Sequence, residues 1–96
     1  MNGMRFAWDE AKAKENLSNH GVSFEEGSTV FADENARLKR DPDHSQQEAR
    51  FILLGFSAKL RMPIVCHAYR KHDEVIRIIS ARKATRTERK QYGSYT

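Results

Sequence analysis

Ninety-six residues suit one domain with one modest core, to which a partner chain can add. One cysteine, Cys66, excludes an intrachain disulfide framework, and no apolar run is long enough to span a bilayer. The formal charge of +4 hides an asymmetry: residues 1–48 hold 6 Lys/Arg against 10 Asp/Glu, a net of −4, while residues 49–96 hold 11 against 3, a net of +8. A basic half on a small protein suits a polyanionic partner, although a merely solvated basic surface fits the same count. The opening M-N-G-M-R-F-A-W-D lacks the basic-then-apolar layout of a signal peptide, and together with the lone cysteine it points to the cytoplasm.

In chain order, Met4–Trp8 reads as a short opening strand. Asp9 can cap a helix that runs to about Asn19 or His20, with Gly21 supplying the left-handed stop. Ser23 and Glu26 form a capping box for a second, short helix that packs by Phe24 and Phe31 and is weakened locally by Gly27. Asp33-Glu34-Asn35 is a turn, and Ala36–Arg40 a short charged edge strand. Asp41–Ser45 is a polar loop in which His44 can cap or brace. The run from Arg50 to Ser57 is apolar on both faces, as in a central strand. Ile64–Tyr69 is the next strand, Lys71–Glu74 a hairpin turn, and Val75 onward a buried strand that stops at Ser80-Ala81. Thr85 and Glu88 form a further capping box opening a last helix to about Tyr92, beyond which the tail frays. Consecutive strands with short connections make an antiparallel sheet, so the class is α+β, with two N-terminal helices, one C-terminal helix and about four to five strands.

The chemistry concentrates in V-I-R-I-I-S-A-R-K-A-T-R-T-E-R-K-Q-Y, residues 75–92. A buried strand feeds a helix whose first turn is ringed by Arg82, Lys83, Arg86, Arg89 and Lys90, a place to hold a phosphate. The four histidines show no metal-binding spacing, there is no glycine-rich phosphate loop or dinucleotide fingerprint, and no hydrolase nucleophile has a recognisable setting; no metal or cofactor is expected. RNA cleavage is compatible with these residues, because RNA carries its own nucleophile. The 2′-hydroxyl attacks the adjacent phosphate, and the protein must align the strand, neutralise the phosphorane and move protons. Arginine suits the second task.

Four blocks carry a family resemblance: F-A-W-D-x-x-K near the start, N-x-x-x-H-G-V-S-F-E-E at 16–26, D-P-D-H-S-x-x-E-x-R-F-x-x-x-G at 41–55 and I-R-I-I-S-A-R-x-A-T-x-x-E-R-x-x-Y at 76–92. In these the chain resembles the BrnT toxins of type II toxin–antitoxin systems. The departures are Gly27, where the family often has alanine, and Asp33-Glu34 in place of a common Asp-Pro. The resemblance implies a RelE-like fold, ribonuclease activity that arrests translation, and neutralisation by a BrnA-type ribbon-helix-helix antitoxin. It also implies a toxin dimer within a heterotetramer that contacts operator DNA only through the antitoxin.

The residues singled out for catalysis are Arg82, Arg86, His20 and Arg77. Arg82 and Arg86 flank the strand-to-helix junction. His20 ends a helix, where the dipole favours its charged form, or simply caps it. Arg77 either lines a cleft or pairs with a carboxylate such as Glu48; strict alternation turns it away from Arg82, so the two share a site only if the strand bulges between them. Lys12, Lys14, Arg89, Lys90 and Tyr92 are candidates for RNA contact, with packing of the last helix an equal role for Tyr92. His67 reads as a satisfied strand histidine. Two non-catalytic roles use the same arginines: nucleic-acid binding, and reception of an acidic antitoxin segment.

Overall fold

The local signals fold much as they read. In the computed structural model, described for residues 4–44, 48–70, 72 and 74–92, Asp9 caps helix α1 (Glu10–His20) by accepting from the backbone of Ala11 and Lys12, and Gly21 ends it at φ 71°. Ser23 caps helix α2 (Phe24–Thr29) through the Glu26 amide. Only half of the expected box forms there, because the Glu26 carboxylate turns inward to Arg61 and Ser57. A 3₁₀ turn, Val30–Ala32, follows α2.

Five strands make one sheet: β1 (Arg5–Ala7), β2 (Arg37–Arg40), β3 (Phe51–Leu54), β4 (Pro63–Arg70) and β5 (Val75–Lys83), in the order β1-β5-β4-β3-β2. Consecutive strands β2 to β5 pair antiparallel. The sheet is nevertheless mixed, since β1 lies parallel to β5, Arg5 beside Val75 and Ala7 beside Arg77. Between β1 and its partner the chain makes two helices and three strands, and this long crossover allows a parallel pairing that short connections exclude.

β3 is shorter than the apolar run suggests. A Cβ at Gly55 would stand 2.9 Å from both the Ala36 Cβ and the Asp33 carboxylate, and the Phe56 amide is drawn off the ladder to Asp33 at 2.8 Å. β5 is longer than expected and runs past Ser80 to Lys83. Its outer edge beyond β1 is closed by a side chain: the buried Asn16 amide donates to the Ala81 carbonyl at 2.7 Å and accepts from the Ala81 amide at 3.2 Å, while also donating to the Val22 carbonyl at 2.9 Å.

The register of β4 against β5 carries the decisive irregularity. Cys66 pairs with Ser80 but His67 pairs with Ile78, so Ile79 is an extra residue and β5 bulges there. Ile76 and Ile78 before the bulge, and Ala81 after it, are buried. Ile78 and Ala81 join Val22, Phe24, Val30, Leu53 and Val65 in the core between the sheet and the first two helices. The opposite parity faces away. There Leu54, Met62 and Ile64 form a second, smaller cluster with Ile52, Ala84 and Tyr92 packed against it.

The last helix is the main local correction. α3 spans only Arg86–Arg89, capped by Thr85 with a complete capping box. The chain beyond Tyr92, the side chain of His44, and Ser45, Lys71 and Asp73 of the expected loop and hairpin lie outside the described residues.

Candidate active site

The sheet face turned away from α1 and α2 collects the arginines. Because a bulge adds one residue, Arg77 and Arg82 point to the same side although five positions separate them. Arg82 stands opposite Ile64, Arg77 opposite Ala68, and Ser80 opposite Cys66. From β3 the same face receives Ile52 and Leu54, and from β2 Arg37 and Lys39. Arg50, one step before β3, joins them. Asp41, Arg50, Cys66, Ile79, Ser80 and Arg82 line one groove of about 330 Å³. Across Ile79 it meets a second groove of about 350 Å³, walled by Lys12, Arg70 and Arg77. The floor is apolar and the walls carry both signs: Arg50, Arg82, Lys12, Arg70 and Arg77, with the carboxylates of Asp41 and Asp9.

Each of the two β5 arginines is held by a carboxylate. The Arg82 guanidinium grips Glu88 with two hydrogen bonds, both 2.9 Å. The same carboxylate accepts from the Thr85 amide at 2.9 Å, and the Arg82 fork together with this amide pulls its pKa down to about 2. Arg77 forms an ion pair with Glu48 and also lines the second groove, so both roles open to it on sequence are filled at once. Its Nε–H is buried without a partner among the described residues. Cys66 sits in the groove floor near Arg50 and Arg77, yet burial pushes its thiol pKa up, as for an inert structural cysteine.

α3, at whose opening a phosphate is expected, is short. The helix is a single turn, and its capping box engages the Thr85 and Glu88 amides. Arg86 is exposed on that turn and, like His20 at the exposed end of α1, is not among the residues lining the grooves. Lys12 does reach the Arg77 groove; Lys14, Arg89 and Lys90 are exposed outside it. Tyr92 packs: its hydroxyl donates to Asp33 at 2.8 Å and its ring meets Phe56 edge-on at 5.1 Å. His67 is wholly buried on the helix side, between the Val65 carbonyl and the Tyr69 hydroxyl, and burial lowers its pKa.

Arg37, Lys39 and Arg50 were not singled out from sequence, although a signal existed. Arg50 is two residues from Ile52 and four from Leu54, so period-two alternation puts all three on one face. Asn16 gave no such signal, since nothing local distinguishes an edge-sealing asparagine from a solvated one. Among the described residues no group of three His, Cys, Asp or Glu side chains could hold a metal ion, and no helix is long and apolar enough to cross a membrane.

An α+β domain that buries its helices on one sheet face and gathers arginines on the other has the layout of a small anion-handling protein. The family described as ribonuclease toxin, BrnT, of type II toxin–antitoxin systems matches residues 8–88, and the chain belongs to that family. The fold is also similar to the crystal structure of the Brucella abortus ribonuclease toxin BrnT, at a TM-score of 0.64 and 25% identity, covering 86% of this chain and 99% of that one. A sequence search of curated proteins gives no match.

Proposed function

We propose that this chain is a metal-independent endoribonuclease that arrests translation by cutting RNA on the open face of its sheet, and that a BrnA-type ribbon-helix-helix antitoxin neutralises it, within a heterotetramer built on a toxin dimer. The observation that supports this best is the bulge at Ile79, which gives Arg77 and Arg82 one face. A strand laid along the joined grooves presents its phosphates to Arg82 and Arg50, with Arg77 and Lys12 further along. Attack of the 2′-oxygen on phosphorus breaks the bond to the 5′-oxygen, leaving a 2′,3′-cyclic phosphate and a 5′-hydroxyl. The arginines stabilise the charge on the phosphorane. In this reading Glu48, which pairs with Arg77 from outside the two grooves, accepts the 2′-proton, and water or the Lys12 ammonium returns one to the leaving oxygen.

One observation favours a non-catalytic role in RNA or antitoxin binding: Arg77 and Arg82 each already hold a carboxylate. The test is RNA incubated with the purified protein in excess EDTA. Cleavage leaving cyclic ends, lost in a folded Arg82→Ala or Arg77→Ala variant, supports the enzyme. Binding without cleavage sinks it in favour of the binding module.

A further inference from the structure

Arg82 borders two depressions of the open face. On one side is the groove that it shares with Arg50 and Ser80. On the other is a recess over Leu54 and Ile64 that also holds Glu88. Glu88 lines the recess and not the groove, so its carboxylate takes the guanidinium on the recess side. The hold uses the tip of the arginine. Nη1 and Nη2 each donate to one Glu88 oxygen at 2.9 Å, and Nη1 also donates to the Lys83 carbonyl at 3.3 Å. This is the fork with which arginine grips a phosphate, and the pair carries no net charge. A phosphate arriving at Arg82 meets a carboxylate already in the bidentate position.

Glu88 has a second task. The same carboxylate accepts from the Thr85 amide at 2.9 Å and closes one half of the α3 capping box. The other half needs no carboxylate, since there the Thr85 hydroxyl accepts from the Glu88 amide at 3.2 Å. The far end of the turn is pinned separately: Arg37 donates to the Gln91 carbonyl at 2.7 Å, and the Tyr92 hydroxyl to Asp33 at 2.8 Å. Rotation of one side chain therefore frees Arg82 while the turn stays in place. Both partners are part-exposed, 42% for Arg82 and 29% for Glu88, and an ion pair in contact with water is weak enough to exchange. We propose that Glu88 is a built-in competitor for the phosphate at Arg82: its carboxylate fills the arginine fork in the free protein, and RNA binding displaces it and leaves the Thr85 amide without its acceptor. This rests on the reading of the open face as an RNA site.

The rival role is positioning, in which Glu88 stays on Arg82 and aims it at the RNA. The two differ in sign. Glu88→Gln separates them, because glutamine also fills this place in a capping box while the charge is gone. The probe is a single-stranded 2′-O-methyl hexanucleotide, which lacks the attacking hydroxyl, titrated by fluorescence anisotropy against variants shown to be folded by their thermal midpoints. Glu88→Gln should bind it about three- to fivefold more tightly than the native chain, and the gain should vanish in the Arg82→Ala background. In hydrogen exchange on the native chain, the bound oligonucleotide should speed the Thr85 amide and not the Glu88 amide. Weaker or unchanged binding by Glu88→Gln, or no binding by either form, overturns the proposal. So does an equal gain in both backgrounds, which reports net charge alone. Tighter binding by Glu88→Gln where no form cuts the matching RNA keeps the competitor and defeats the ribonuclease reading. Cleavage by the native chain with no gain from Glu88→Gln does the reverse.

Discussion

The two faces of the sheet are built from the same strands and solve opposite problems. Toward α1 and α2, the buried polar side chains among the described residues are matched: Asn16 to Val22 and Ala81, Glu26 to Arg61 and Ser57, His67 to Val65 and Tyr69. Unmatched groups there would each cost about 1–3 kcal/mol, so that face trades its polar residues for order. The other face leaves cations within reach of solvent, paired with carboxylates that are themselves part-exposed. Ion pairs of that kind contribute little to stability. One face therefore holds the fold and the other is free to bind, and substitutions should separate the two.

The largest effect belongs to the open face. Arg82→Ala should lower RNA cleavage about 10²–10³-fold, as loss of one transition-state ligand does, while the thermal midpoint moves only a few degrees; equal losses of activity and stability would merge the two faces. Asn16→Ala should do the opposite. Removing three buried hydrogen bonds and the seal on β5 should cost about 2–4 kcal/mol in urea unfolding, with cleavage per folded molecule unchanged.

Acid should sharpen the comparison further. His67 is neutral and buried, with a pKa below its ordinary 6.5. The unfolded chain therefore binds a proton first, and stability should fall as pH drops below about 6.5. His67→Phe should flatten that slope in pH-dependent unfolding. The open face responds later. Glu88 at about 2 contributes stability that is present above its unfolded pKa near 4.5 and is lost as pH falls from there toward 2, about 1–2 kcal/mol after solvent screening; Glu88→Gln should remove that step. The smallest effect is at Gly27, where a Cβ would meet Ala81 and Val65 at 3.5–3.6 Å, ordinary contact. Gly27→Ala should stabilise the protein by about 0.5–1 kcal/mol through helix propensity alone, leaving cleavage untouched.

What was legible in the sequence was local. Asp9, Gly21, Ser23 and Thr85 mark their helix ends because a cap acts within three residues, and the strands of the central hairpins follow from apolar runs between turns. What was not legible depended on partners far along the chain. Glu26 leaves its half of the capping box for Arg61, thirty-five positions on. β1 chooses a parallel neighbour that no local pattern names. The candidate site turned on a single extra residue: alternation correctly separates Ile76 and Ile78 from Arg77, but it cannot know that Ile79 is skipped, and so it assigns Arg82 to the wrong face. Arg86 and His20 stood out by motif and charge, and the structure sets both at exposed positions outside the grooves.

The crossover that makes the sheet mixed also orders the protein in time. β1 has no neighbour until β5 has been made, and the Asn16 bonds to Ala81 close a loop of sixty-five positions, a separation of the kind that slows folding. β2, β3 and β4 can pair as they emerge, whereas Arg77 and Arg82 arrive together on the strand that completes the sheet. The cationic face is thus complete only where β5 has joined β4 and where β1 and Asn16 have closed its outer edge.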